Sequence, residues 1–131
     1  MNVLISGGAK NGKTGFAQDI AVRLSAGGNG TFLVDSVTAL LMNEMFSAHG
    51  GEADPEAVGR CIGGLSEILN KARNAVFVTD YIYSDAFRYD EFTENYRASL
   101  ARLDRYLAEK CDTVIELCAG SVIFHKGGLE L

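Results

Sequence analysis

Residues 2–14 read NVLISGGAKNGKT. Asn2–Ser6 is a short aliphatic run ending at Gly7-Gly8, the pattern of a buried strand that enters a glycine turn. The segment that follows, 13–25 (KTGFAQDIAVRLS), sets Phe16, Ile20 and Leu24 four apart with Ala17 and Ala21 beside them, which is one helical face. Between strand and helix, the eight residues Gly7 to Thr14 fit GxxxxGK[ST] in full. At this composition chance produces the pattern in about one of 150 such sequences. A purely structural turn has no need of Lys13-Thr14, so the stretch reads as a phosphate-binding loop.

That chemistry needs these residue types at this spacing. Gly7, Gly8, Ala9, Lys10, Asn11 and Gly12 let successive backbone N–H groups curl around phosphate oxygens, and the following helix points its positive end at the same place. Lys13 supplies a cation for the β- and γ-phosphates, and the Thr14 hydroxyl is placed to ligate Mg²⁺. The expected ligand is ATP or GTP. A second acid belongs at the carboxyl end of a neighbouring strand, where α/β sheets collect ligands. Asp35, after TFLV, is the first choice and Asp80, after AVFVT, the second; either is otherwise a turn or cap aspartate.

Outward from the loop, alternation of strand and helix continues. A buried strand is expected at 31–34, and a helix over 37–48 capped by Ser36. Asp54-Pro55-Glu56 opens a helix reaching about residue 73, with a strand at 75–79 beyond it. A long helix over 91–109 follows, then strands at 113–118 and 121–126 around an Ala119-Gly120 turn. Helical crossovers of this length imply parallel strands, with the terminal pair antiparallel. The fold class is α/β: a three-layer sandwich with a mostly parallel sheet, in a single domain spanning 1–131.

Composition excludes several other roles. Of 131 residues 47% are hydrophobic and 22% charged, so the chain is globular rather than disordered. Twelve basic against 17 acidic residues give a net charge of −5, a surface that disfavours nucleic acid and anionic lipid. No run approaches the ~20 apolar residues of a membrane helix. Cys61, Cys111 and Cys118 form no CxxC pair and read as small buried hydrophobes in a reducing, cytoplasmic setting. His49 reads as a helix-terminal residue and His125 as a strand residue packed with Ile123 and Phe124. Arg97, Arg102 and Arg105 read as a solvated helix face; Tyr81, Tyr83, Phe87 and Tyr89 suit a planar substrate or plain loop anchoring equally. The residues alone leave open a kinase-type phosphotransferase, a non-catalytic nucleotide- or phosphate-binding protein, and a different phosphate-loop activity.

The stretches GGAKNGKT, LVDSVTALLMNEMF with GGEADPEA, AVFVTD, and YRASLARLDRYLAEKCDTVIELCAG resemble, in colinear order, the bifunctional adenosylcobinamide kinase/adenosylcobinamide-phosphate guanylyltransferase family of cobalamin biosynthesis. The resemblance implies transfer of a γ-phosphoryl group to the aminopropanol hydroxyl of adenosylcobinamide, a corrinoid partner, and a homo-oligomer, a trimer. In that role Lys13 and Asp35 are the catalytic residues, and Thr14 and Asp35 hold the metal. The sequence also departs from the family. Where the family carries several dozen residues, including the histidine that becomes guanylylated, this chain has only Ser25–Thr31, without a histidine. The family's Asn-Glu pair is Asp80-Tyr81 here, its Phe-Arg-Asp is Tyr96-Arg97-Ala98, and its Asn-Gln is Asp104-Arg105. The chain is therefore expected to form no guanylyl-enzyme, as a shortened relative that keeps its phosphate loop.

Overall fold

The structure, a computed structural model, describes residues 1–8, 12–25, 30–46, 56–80, 91–118 and 121–128. Its elements are β1 (Asn2–Gly7), α1 (Lys13–Ser25), β2 (Thr31–Asp35), α2 (Val37–Phe46), α3 (Ala57–Lys71), β3 (Asn74–Asp80), α4 (Glu91–Lys110), β4 (Thr113–Cys118) and β5 (Ser121–Lys126). The strands form one sheet in the order β2-β3-β1-β4-β5. The first four are parallel and β5 returns antiparallel to β4, as the helical crossovers and the short final turn require.

Alternation along each central strand sends side chains to two separate cores. Val3, Ile5, Val76, Val78, Ile115 and Leu117 face Ala17 and Ile20 of α1. Leu4, Ala75 and Phe77 face the other way, against α2, α3 and α4. Leu100, Leu103 and Leu107 keep helical spacing on α4 and are fully buried in this second core, each burial contributing about 1.5–3 kcal/mol. The result is the expected three-layer sandwich.

Ser36 caps α2 as its position suggests, its Oγ accepting the N–H of Ala39 at 3.1 Å. The α2 helix is described as far as Phe46, and residues 47 and 48 of the expected helix lie outside the described residues. At α3 the expected cap differs: Asp54 and Pro55 lie outside the described residues, and Glu56 occupies the N-cap without a side-chain capping bond.

Two strands are less buried than their apolar runs suggest. β2 forms one sheet edge, where Phe32 is 52% exposed. β5 forms the other, with Ile123 40% and Phe124 38% exposed, so the packing expected around His125 is absent. An apolar run reports the propensity to be a strand; its place in the sheet depends on which neighbours the other strands have taken. Cys61 and Cys111 are buried as expected, and Cys118 is exposed at the end of β4.

Candidate phosphate-binding site

The parallel register brings the site together at one end of the sheet. Gly7 ends β1 opposite Asp80 at the end of β3, and Asp35 ends β2 opposite Val78. Gly7 has to be glycine: a Cβ there would lie 2.8 Å from the carbonyl oxygen of Leu117 on the adjoining strand. At the far end of the loop, Gly12 takes φ +72°, the left-handed region that favours glycine, and its carbonyl receives the N–H of Phe16 to start α1. Ala9, Lys10 and Asn11 lie outside the described residues, as do His49, Tyr81, Tyr83, Phe87 and Tyr89.

Lys13 is the first residue of α1 and only 7% exposed, where its place beside a glycine loop suggests an exposed side chain. Its ammonium donates to the carbonyl of Gly8 and pairs with Asp80 Oδ1 at 2.7 Å. A cation drawn onto the loop's own backbone and a strand-end carboxylate is sheltered from water, which explains the burial. Thr14, next in the chain, is exposed, and its Oγ1 donates to Asp35 Oδ2 at 2.8 Å. The two candidate acids thus divide the two motif residues between them: Asp35 takes the threonine, Asp80 the lysine. An open depression of about 620 Å³, lined by Asp35, Ser36, Ala39 and Asn43 among others, lies beside Asp35.

The Thr14–Asp35 pair suits a hard divalent cation, being a hydroxyl and a carboxylate within one hydrogen bond of each other. Among the described residues no three His, Cys, Asp or Glu side chains form a metal cage. Mg²⁺ ordinarily takes one or two protein oxygens and fills its octahedron with phosphate and water, so two ligands fit it.

Behind Asp80 runs a buried polar chain that sequence reasoning missed. The backbone N–H of Asp80 donates to Thr38 Oγ1 at 2.9 Å, and Thr38 Oγ1 lies 3.4 Å from Thr79 Oγ1. Thr79 donates in turn to Asp104 Oδ1 at 2.8 Å, and the Tyr96 hydroxyl donates to the Thr38 carbonyl at 3.1 Å. Burial, and then the negative charges of Asp80 and Asp104, push the Tyr96 phenol up to about 12. The chain fixes the backbone that carries Asp80 and so fixes where Lys13 is held. One sign of it was available: Asp104 interrupts the apolar face Leu100-Leu103-Leu107 of α4.

The remaining candidates fall elsewhere. Arg97 is not on a solvated face; its side chain is 11% exposed and pairs with Glu94 at 2.9 Å. Arg102 and Arg105 are exposed as expected. His125 is bonded to Glu116 at 2.8 Å on the outer strand, three residues along β5 from the position paired with Leu117.

Against known proteins, the family model for cobinamide kinase / cobinamide phosphate guanyltransferase matches residues 19–124. The chain belongs to this family. Cobinamide kinase / cobinamide phosphate guanyltransferase family membership agrees with the resemblance read from the residues, and it ties the fold to enzymes of cobalamin biosynthesis. The match begins inside α1, after the phosphate loop, so the loop assignment rests on residues 7–14 themselves. Comparison with curated proteins gives no match. No helix among the described residues is long and apolar enough to cross a membrane.

Proposed function

We propose that the protein is a kinase-type phosphotransferase that passes the γ-phosphoryl group of ATP or GTP to the aliphatic hydroxyl of adenosylcobinamide. The observation that carries this reading is the convergence of Lys13 and Thr14, at the start of one helix, on carboxylates from two different strands. The loop backbone and the positive end of α1 bind the phosphates. Lys13 exchanges the Gly8 carbonyl for phosphate oxygens and neutralises charge building toward the leaving group. Thr14 and Asp35 would hold Mg²⁺, which when bound polarises the phosphoryl oxygens. Phosphoryl transfer asks for positioning and charge neutralisation rather than covalent help, and this chain's residues offer both. The acceptor oxygen bonds to the γ-phosphorus, the bond to the β–γ bridging oxygen breaks, and the hydroxyl proton passes to water.

Guanylyl transfer through a phosphohistidine-type intermediate needs an imidazole in line with the α-phosphate. Among the described residues the one histidine, His125, sits on the outer strand, away from the loop end of the sheet, so the kinase half of the family's chemistry is the half these residues support. The test is incubation with γ-labelled ATP or GTP, Mg²⁺ and adenosylcobinamide. Label is expected on the corrinoid, and α-labelled GTP should leave none on the denatured protein. Tight nucleotide binding without label transfer would replace this reading by that of a non-catalytic nucleotide-binding protein.

A further inference from the structure

The α4 helix carries a second stripe beside its leucine seam. Ala101, Asp104, Arg105 and Ala108 fall at i, i+3, i+4 and i+7, so they share one face. That face borders a cavity of about 300 Å³ between the helix and strands β1 and β4. On the sheet side Val114 and Glu116 remain partly exposed, so α4 does not close over β4. The cavity exists because both ends of the stripe are alanine.

Its lining is chemically divided. Leu4, Ala101, Ala108 and Val114 give it aliphatic walls, and Ser6, Thr79, Asp104 and Arg105 give it polar groups, with Asp104 and Arg105 between the two alanines. Asp104 is 6% exposed and is held in place by the Thr79 hydroxyl. Ser6 and Thr79 stand side by side in register, one residue before Gly7 and Asp80. These polar groups of the sheet therefore lie one layer beneath the phosphate loop. At about 30 Å³ for a liquid water, the space equals roughly ten waters. It admits a short arm of a ligand, whereas a macrocycle has to remain outside.

The donors and acceptors select the group on that arm. A carboxylate only accepts and a guanidinium only donates. An anionic arm would meet the charge of Asp104, and a cationic arm that of Arg105. A primary carboxamide is neutral, gives two N–H donors to the one and a carbonyl oxygen to the other, and tolerates aliphatic walls along its stem. We propose that this cavity is an acceptor subsite that receives a primary carboxamide on a short aliphatic arm. The inference rests on the corrinoid-kinase reading above, because cobinamide carries such arms around its ring. It adds a position and a specificity: the corrinoid is gripped through α4 and presented over the loop end of the sheet.

Equilibrium titration with dicyanocobinamide tests this without turnover, alongside titration with Mg²⁺ and nucleotide. Ala101→Leu, which fills the cavity, and Arg105→Gln, an exposed change that leaves packing alone, are each expected to weaken corrinoid binding about tenfold. Nucleotide affinity should stay within about twofold of the parent. A corrinoid whose amide arms have been hydrolysed to carboxylates should bind the parent about tenfold more weakly than cobinamide. Unchanged cobinamide affinity in folded Arg105→Gln, or equal binding of the two corrinoids, would overturn the subsite and leave the kinase reading standing. A parent protein that binds nucleotide but no corrinoid would overturn both.

Discussion

Lys13 is at once the first residue of a helix and the buried partner of Asp80, so its loss has two separable effects. Lys13→Ala should abolish measurable triphosphate binding by isothermal titration. It should also lower the stability of the ligand-free protein by about 1–2 kcal/mol in urea unfolding, less than for a fully buried pair because Asp80 is one third exposed. For the neighbouring residue the expectation concerns metal. Triphosphate affinity should rise with Mg²⁺, and Asp35→Asn should blunt that rise more than Asp80→Asn, because the Thr14 hydroxyl is held by Asp35. The opposite ranking in Mg²⁺-dependent titrations would reassign the acids. Tyr96 gives a pH signature. Its folded phenol is raised to about 12, above the ordinary value near 10, so the folded state favours the protonated form. That contribution is complete below about pH 10 and disappears as the pH climbs through 12. Urea unfolding between pH 9 and 12 should therefore show a shallower alkaline loss in Tyr96→Phe than in the parent.

At the scale of elements, the apolar seam of α4 holds the three-helix side of the sandwich together. Leu103→Ala should cost about 2–5 kcal/mol in denaturant unfolding, since Leu103 is fully enclosed and its neighbours come from several elements. The seam was readable because leucines at three- and four-residue spacing dictate which way a helix faces. The two ends of the candidate loop were readable for a related reason: glycine at fixed offsets has a local backbone meaning, seen in the close approach at Gly7 and the positive φ at Gly12. Burial of polar groups was not. Lys13, Arg97 and Asp104 are all enclosed, and for two of them the partner is distant in the chain: Asp80 for Lys13, Thr79 for Asp104. For Arg97 the nearby Glu94 makes the pair while the surrounding fold supplies the enclosure. The strand runs of β2 and β5 likewise carried propensity and no mark of being edges, so Phe32, Ile123 and Phe124 came out more exposed than their neighbours implied.

At the scale of the whole molecule, the two cores predict a simple chemical footprint. Burial raises the Cys111 thiol to about 12 and also pushes Cys61 up, while Cys118 is exposed at the end of β4. A thiol-reactive chromogen should label one cysteine rapidly in the native protein, removed by Cys118→Ser, and the other two only on unfolding. The sheet order has a different consequence, one of time. Strand β1 comes first in the chain yet sits between β3 and β4, with Val3 opposite Val76 on one side and Thr113 on the other. Neither flank of the strand that leads into the phosphate loop can form from local sequence, and such long-range closure slows folding. During synthesis one flank of β1 stays open until β3, about seventy residues later, has left the ribosome, and the other until β4, more than a hundred residues later. The end of β1 that leads into the glycine loop is thus flanked on both sides only after β4 has emerged, so the candidate site is among the last parts of the sheet to be completed.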